Sequence, residues 1–324
     1  MLVNRREFGG VVAAGLAPAV VTGQRGGATF APATASASAD ATWAISMFSK
    51  HLPDLHGRDL GQAVREAGFD GIDLTVRGGG HVLPARVTED LPKAVAAIRD
   101  GGSRVTMLTT ELTQPGDPTA RAVLAAAAAA DVRRLKAGYY RYAFADVTRE
   151  LEAAATAFRG LVGLAAAAGV LLAYHNHAGY IGAPVWDALR MIDGLPATAT
   201  GLYFDVRHAT VEGGQAGWRV AVQRAAPHLR MLAMKDFYWD RGRDGRWRVV
   251  DCPLGEGMVD WKTYLAEVRA AKFAGPISLH VEYETGGRTP VEKRDNMLVA
   301  MQRDRARLAT LIEASAAAPA REER

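Results

Sequence analysis

Two histidines, two residues apart, close an apolar run at residues 171–179 that reads L-L-A-Y-H-N-H-A-G. Side chains alternate along a strand, so His175 and His177 share one face and Tyr174 and Asn176 the other. Paired imidazoles at the end of a buried strand suit metal binding or proton transfer. Counterparts stand at the ends of three later apolar runs: Asp205 and His208, then Lys235 and Asp236, then His280, Glu282 and Glu284. Period two puts His280 and Glu282 on one face. Imidazole and carboxylate ligands suit a borderline divalent cation such as Mn, Zn, Co, Fe or Ni. No single position is specific. The signal is their concentration at four consecutive run ends.

The elements that must carry these residues alternate along the chain. Strand-type runs begin near Trp43, Phe69, Arg104, Val132, Leu171, Gly201, Leu229 and Pro276, and a helical stretch follows each. Residues 119–131, almost all alanine in their later half, read as a packed helix, since alanine is the best helix former. The helix over 146–168 stops at Gly169. Eight strand–helix alternations predict a parallel (β/α)₈ barrel over residues 40–315 as one domain, with its working residues where strands exit into loops. An open doubly wound sheet would carry a glycine-rich phosphate turn, and no G-x-G-x-x-G follows any strand. Arg141, past strand four, and Trp239, in a long polar loop after strand seven, are candidate substrate contacts. Trp247 and Tyr140 are further aromatics that could stack on a substrate.

Of 324 residues, 49% are apolar, enough for a sizeable core. The net charge of +4 comes from bases interleaved with acids, which is no footprint for nucleic acid. Cys252 is the sole cysteine, so neither an internal disulfide nor a cysteine zinc cluster can form. Residues 1–39 read as a cleaved leader: Arg5 and Arg6, a short apolar middle, then small residues. The paired arginines resemble a bacterial twin-arginine signal, so the mature protein is expected outside the cytoplasm. No later segment reads as long and apolar enough to span a bilayer, so no membrane partner is expected after cleavage. Residues 316–324 read as a frayed tail. A homo-oligomer is compatible with this reading.

Nearly all of residues 43–315 resemble the xylose isomerase-like barrels, the sugar phosphate isomerase/epimerase superfamily. The motifs are G-F-D-G-I-D-L at 68–74, G-V-L-L-A-Y-H-N-H at 169–177, F-D-V-R-H at 204–208, M-K-D at 234–236, L-G-E-G-M-V-D-W at 254–261 and G-P-I-S-L-H-V-E-Y at 275–283. The resemblance implies one divalent metal, held by Glu, Asp, His and Glu from strands five to eight. Asp205 matches the sixth-strand ligand and Glu282 the eighth. His208 fits an Asp-x-x-His pattern whose His faces substrate. His175 stands where many epimerases have Glu, and Y-H-N-H is closer to inosose dehydratase-like members. The seventh-strand H-x-K-D reads Ala233-Met234-Lys235-Asp236, and alanine cannot ligate. The expected shell is therefore His175, Asp205, His280 and Glu282 around Mn, Co, Zn or a similar ion, with His177 as an alternative ligand and a weak or absent metal left open.

The implied activity is that of an exported isomerase or epimerase of keto-sugars or keto-polyols. A metal would acidify the C–H beside a carbonyl, and a base would take the proton. Glu282, His175, His177 and Lys235 are the catalytic candidates, with Lys235 polarising a substrate oxygen. His208, Arg141 and Trp239 would bind the sugar. A dehydratase or lyase in the same barrel and a non-catalytic sugar-binding barrel are the alternatives.

Overall fold

The computed structural model describes residues 43–316. The leader expected over residues 1–39, and all but the first residue of the expected tail, lie outside the described residues. Eight parallel strands close into a barrel in the order β1, β10, β7, β6, β5, β4, β3, β2. They are β1 (Ile45–Phe48), β2 (Gly71–Val76), β3 (Val105–Thr110), β4 (Arg134–Lys136), β5 (Leu171–His175), β6 (Thr200–Asp205), β7 (Leu229–Met234) and β10 (Ile277–Leu279). Flanking helices are α1 (Gly57–Glu66), α2 (Val87–Asp100), α3 (Ala120–Ala129), α4 (Val147–Ala168), α5 (Val185–Ile192), α6 (Val206–Ala225), α7 (Trp261–Ala270) and α8 (Pro290–Ala316). The chain is thus a single TIM-barrel domain, as the alternation of patterns predicts.

Two local readings are corrected. The polar loop after strand seven is an antiparallel hairpin of β8 (Asp236–Arg241) and β9 (Trp247–Cys252). Its charged, half-exposed residues hide the alternation by which strands are recognised. Helix α4 is long and apolar enough, by length and composition, to cross a bilayer. Here it is a wall helix: Leu151, Ala154, Phe158, Leu161, Val162 and Ala165 form a buried stripe at helical spacing. Phe158 meets Tyr174 of β5 edge-on at 5.4 Å. Gly169, with φ of 70°, ends the helix in the left-handed conformation that glycine adopts without steric cost.

Strand register sorts side chains into two layers. Leu74, Leu108, Leu135, Leu172, Phe204 and Leu232 point outward and join the helix core. Inside the barrel, Met107, Ala173, Tyr203, Met231 and Ala233 form a separate apolar plug. Fully buried polar residues, including Asp73 and Ser278, share this interior, and the chemistry-bearing residues stand at the C-terminal ends of the strands.

The parity of β7 splits its last two motif residues. Lys235 turns into the barrel mouth, while Asp236 turns outward to organise the loop before α7. The Asp236 carboxylate accepts from the backbone N–H of Gly255 (2.9 Å), Gly257 (3.2 Å) and Val259 (3.2 Å), and from the Trp261 indole (2.7 Å). A side chain at Gly257 would collide with that carboxylate. Each buried donor left unsatisfied costs about 1–3 kcal/mol, so Asp236→Ala is expected to lose roughly 3 kcal/mol or more of unfolding free energy. Urea denaturation reads this directly. A loss under about 1 kcal/mol would show that the loop does not depend on the carboxylate.

Candidate functional site

Asp205 is the fixed point of the site. β6 ends on it, and α6 begins at the next residue, so Asp205 serves as N-cap and its Oδ1 accepts the His208 N–H at 3.1 Å. The Asp-x-x-His spacing is therefore a capping spacing. His208 lies in the first turn of α6 rather than at a strand end, and folds over the barrel mouth. From β5, Asn176 pins the same residue: its amide donates to the Asp205 carbonyl and accepts the Asp205 N–H, both at 2.9 Å.

Three N–H groups converge on Asp205 Oδ2. His175 Nε2 stands at 3.2 Å, Lys235 Nζ at 3.3 Å and His208 Nε2 at 3.7 Å. Lys235 also donates to Glu282 Oε2 at 3.0 Å, and Lys50, from the turn after β1, donates to Glu282 Oε1 at 3.1 Å. Burial is the largest single influence and acts to raise both carboxylates, but the Lys235 ammonium acting together with His208 and His175 at Asp205, and with His280 and Lys50 at Glu282, holds each well below the usual range. Burial acts to lower Lys235, and Asp205 and Glu282 reverse that, so it stays an ammonium. Burial lowers His175 to about 4 and His177 to about 3, and drives His208 and His280 well below their ordinary value. At neutral pH the Lys235 ammonium thus lies between two carboxylates, with four neutral imidazoles around them.

Hydrogen-bond partners place the imidazole protons. Arginine only donates, so Arg207 Nη1, 3.0 Å from His208 Nδ1, leaves the His208 proton on Nε2. His175 Nδ1 lies 2.8 Å from the Tyr139 hydroxyl, and its Nε2–H faces Asp205. The Ala178 carbonyl takes the His177 Nδ1–H at 2.9 Å, leaving Nε2 bare. Ser278 and Tyr203 hydroxyls both donate to Asp73, at 2.9 and 3.3 Å. With those hydroxyls turned to Asp73, His280 Nε2–H is the donor that fits, and its buried Nδ1, 4.0 Å from Glu282 Oε1, is bare and without a hydrogen-bond partner among the described residues. The site thus offers two bare ring nitrogens, His177 Nε2 and His280 Nδ1. Their rings lie 5.8 and 6.4 Å from that of His175.

His175, Asp205 and His208 form a group with metal-ligand chemistry, one ligand atom of each lying within 4.8 Å of the others. This differs from the expected shell, because His280 Nε2 is committed to Tyr203 and Ser278 and Glu282 is held by two lysines. Proximity meets one requirement of a divalent-ion site. Proton position does not meet the next: both imidazoles turn N–H, not a lone pair, toward Asp205, and an ammonium adds a third donor. As arranged, these residues fit a carboxylate among donors and not a divalent ion.

Of the expected substrate contacts, His208 lies in the cluster, its ring 3.8 Å from that of His177. Arg141 lies over the ring of Tyr180 at 4.9 Å, and Tyr180 in turn meets His177. Trp239, on the exposed hairpin, contacts Phe237 and none of the imidazoles among the described residues. Tyr140 is structural, bonded to the Thr113 carbonyl. Sequence reasoning missed Tyr139, Asp73, Tyr203 and Lys136. Lys136 is buried, lies 3.4 Å from the centroid of the Tyr139 ring and is lowered by burial to about 7. Inward parity at a strand end was the available signal for Lys136. A cleft of about 790 Å³ between the hairpin and α8, lined by residues including Tyr238, Asp251, Tyr283 and Arg303, opens onto Glu282.

A family model described as a xylose isomerase-like TIM barrel matches residues 62–303. A search of curated proteins found no match. Among solved structures, the chain is similar to a xylose isomerase-like TIM-barrel protein from Mycobacterium smegmatis in complex with magnesium: 17% identity, TM-score 0.63, covering 85% of this chain and 98% of that one. It is similar to 3-keto-D-glucoside 4-epimerase from E. coli, with 15% identity and TM-score 0.60 over 81% of this chain and 99% of that. It is also similar to a probable 3-DHS dehydratase from Bacillus anthracis, with 16% identity and TM-score 0.60 over 80% and 97%. At these identities the likeness is one of fold.

Asp73 gives the interior a pH signature. Burial raises its carboxyl from 3.8 to about 6, against hydrogen bonds from Thr109, Ser278 and Tyr203. A carboxyl raised in the folded state holds its proton more tightly there than in the unfolded chain. Its stabilising contribution is complete below its unfolded pKa and is lost as pH rises through the folded one, by roughly 3 kcal/mol in all. Asp73→Asn lacks this dependence. Unfolding free energies measured between about pH 7 and about pH 4 should therefore shift toward wild type relative to the variant as pH falls. A constant difference would show that Asp73 is not raised.

Proposed function

The chain belongs to the xylose isomerase-like TIM-barrel family, and on that premise we propose that it is an exported enzyme of the sugar isomerase/epimerase class, moving a proton at the carbon beside a keto-sugar carbonyl. The observation that carries this reading is the pair of bare imidazole nitrogens, His177 Nε2 and His280 Nδ1, around the buried Lys235 ammonium. A neutral imidazole with a free ring nitrogen is the proton acceptor the geometry offers, whereas both carboxylate oxygens of Glu282 are occupied by Lys235 and Lys50. One imidazole takes the C–H proton, and the electron pair moves onto the carbonyl oxygen. Lys235 and the His208 Nε2–H meet that developing charge. Return of the proton to the opposite face gives an epimer, and its transfer to the neighbouring carbon an isomer. Bases from two strands suit the two-faced exchange.

Mn, Co or Zn, the ions implied by the resemblance, meet protonated ring nitrogens at Asp205 in this arrangement, so the steps above use the chain's own residues. The cleft beside Glu282 has room for a mono- or disaccharide. The twin-arginine-type leader over residues 1–39 gives the proposal its location outside the cytoplasm. Elimination of a β-hydroxyl is the second reading: the imidazolium formed by C–H abstraction hands its proton to the departing hydroxyl, and the His208 Nε2–H, without a hydrogen-bond partner among the described residues, is free to hydrogen-bond that group.

Keto-sugars incubated with the mature protein in deuterated water are expected to exchange the C–H beside the carbonyl, read by NMR. Lys235→Met should slow exchange by about a hundredfold or more. His177→Ala and His280→Ala should each cost roughly 10²–10⁴-fold. Loss of water from the sugar would favour elimination. Binding without any exchange would leave a sugar-binding barrel, and full turnover by Lys235→Met would remove the lysine from the mechanism.

A further inference from the structure

We propose that the Lys235 ammonium occupies the cationic seat between Asp205 and Glu282 in place of a divalent ion, and that removing it turns this barrel into a metal-binding one. The inference rests on the preceding reading in one respect: the same ammonium then faces the substrate oxyanion.

Position is the first support. Lys235 Nζ lies 3.3 Å from Asp205 Oδ2 and 3.0 Å from Glu282 Oε2, in a side chain only 2% exposed. It bridges the two carboxylates that match the expected ligands of strands six and eight. An ammonium has three N–H donors. Two are accounted for here, and the third remains for a substrate oxygen.

Charge is the second. Asp205 and Glu282 are balanced by Lys235 within and by Lys50 at the rim. A divalent ion added to this set would leave two positive charges uncompensated in a largely buried site, and desolvation makes that costly. Removing Lys235 reverses the sign and leaves a buried acidic pair with one outer counter-ion.

The missing ligand is the third. Ala233 shares the inward parity of Lys235 and is wholly buried in the plug with Met107, Ala173, Tyr203 and Met231. That wall offers no donor atom where a seventh-strand ligand would stand. While the ammonium holds the seat, the facing nitrogens of His175 and His208 carry protons and leave too few lone pairs for a transition metal; once Lys235 is gone, His175 can carry its proton on Nδ1 toward the Tyr139 hydroxyl and face the seat with a lone pair. An ammonium asks only for oxygen acceptors.

The test reads metal on the protein without sugar, so its failure is distinct from failure of the isomerase reading. Chelator-treated wild-type protein is dialysed separately against MnCl₂, CoCl₂ and ZnCl₂, then analysed for bound metal. Wild type is expected to retain less than about a tenth of an equivalent at this seat. Lys235→Met is expected to take up about one equivalent, with a metal-dependent rise in Tm, and to lose both when Glu282→Gln is added. Lys235→Gln serves the same purpose if the methionine variant does not fold. Wild-type uptake that persists in Asp205→Asn is surface binding and agrees with the proposal. One equivalent in wild type that Asp205→Asn abolishes overturns it. So does a folded Lys235 variant that binds none of the three ions.

Discussion

A buried carboxylate needs donors, and most of the candidate site exists to supply them to Asp205. Its side chain caps α6, receives His175 from β5 and faces Lys235 from β7, while its backbone is clamped by Asn176. One residue thereby ties three barrel strands and a helix into a fixed geometry. Leaving such a group unpaired would cost several kcal/mol, so each donor is a structural requirement before it is a chemical one. The acid–base behaviour of the neighbours follows. Imidazoles that spend an N–H on Asp205 cannot act as bases through that nitrogen, and the bare nitrogens fall to His177 and His280, whose protons are drawn elsewhere.

Much of this was legible in the sequence because strand parity is a local property. The alternation of apolar runs with helical stretches predicts the closed barrel, and the run ends point to the mouth where His175, Asp205, Lys235 and Glu282 converge. What escaped depends on partners distant in the chain. Asp73 reads as one acid within an apolar strand, and only barrel closure brings Ser278 and Tyr203 to it. The proton on His208 is set by Arg207, which is itself held by Asp251 of the hairpin. The hairpin was hidden by its charged composition. The His280 of the expected metal shell is turned to other work by Tyr203, a contact across the barrel that no spacing rule contains.

Fold likeness and site chemistry part company within the same set of strands. The similar structures share 15–17% identity over most of the barrel, which is enough to reproduce strand order. The interior decides what that order is used for. In this chain it combines a small apolar plug beneath the mouth with a buried ammonium above it, and the two are only two residues apart in sequence, at Ala233 within β7 and Lys235 just past its end.

The outward turn of Asp236 has a consequence for how kinship is inferred. The most recognisable string in the chain, L-G-E-G-M-V-D-W, is held by that carboxylate through Gly255, Gly257, Val259 and Trp261. It is a scaffold signature, with its information spent on keeping a loop folded. A search weighted toward such strings gathers proteins by architecture and is nearly blind to reaction type. The letters that line the barrel mouth are few, inward-facing and dispersed, and those at positions 233 and 235 say more about what the mouth holds than the eight consecutive ones that first catch the eye.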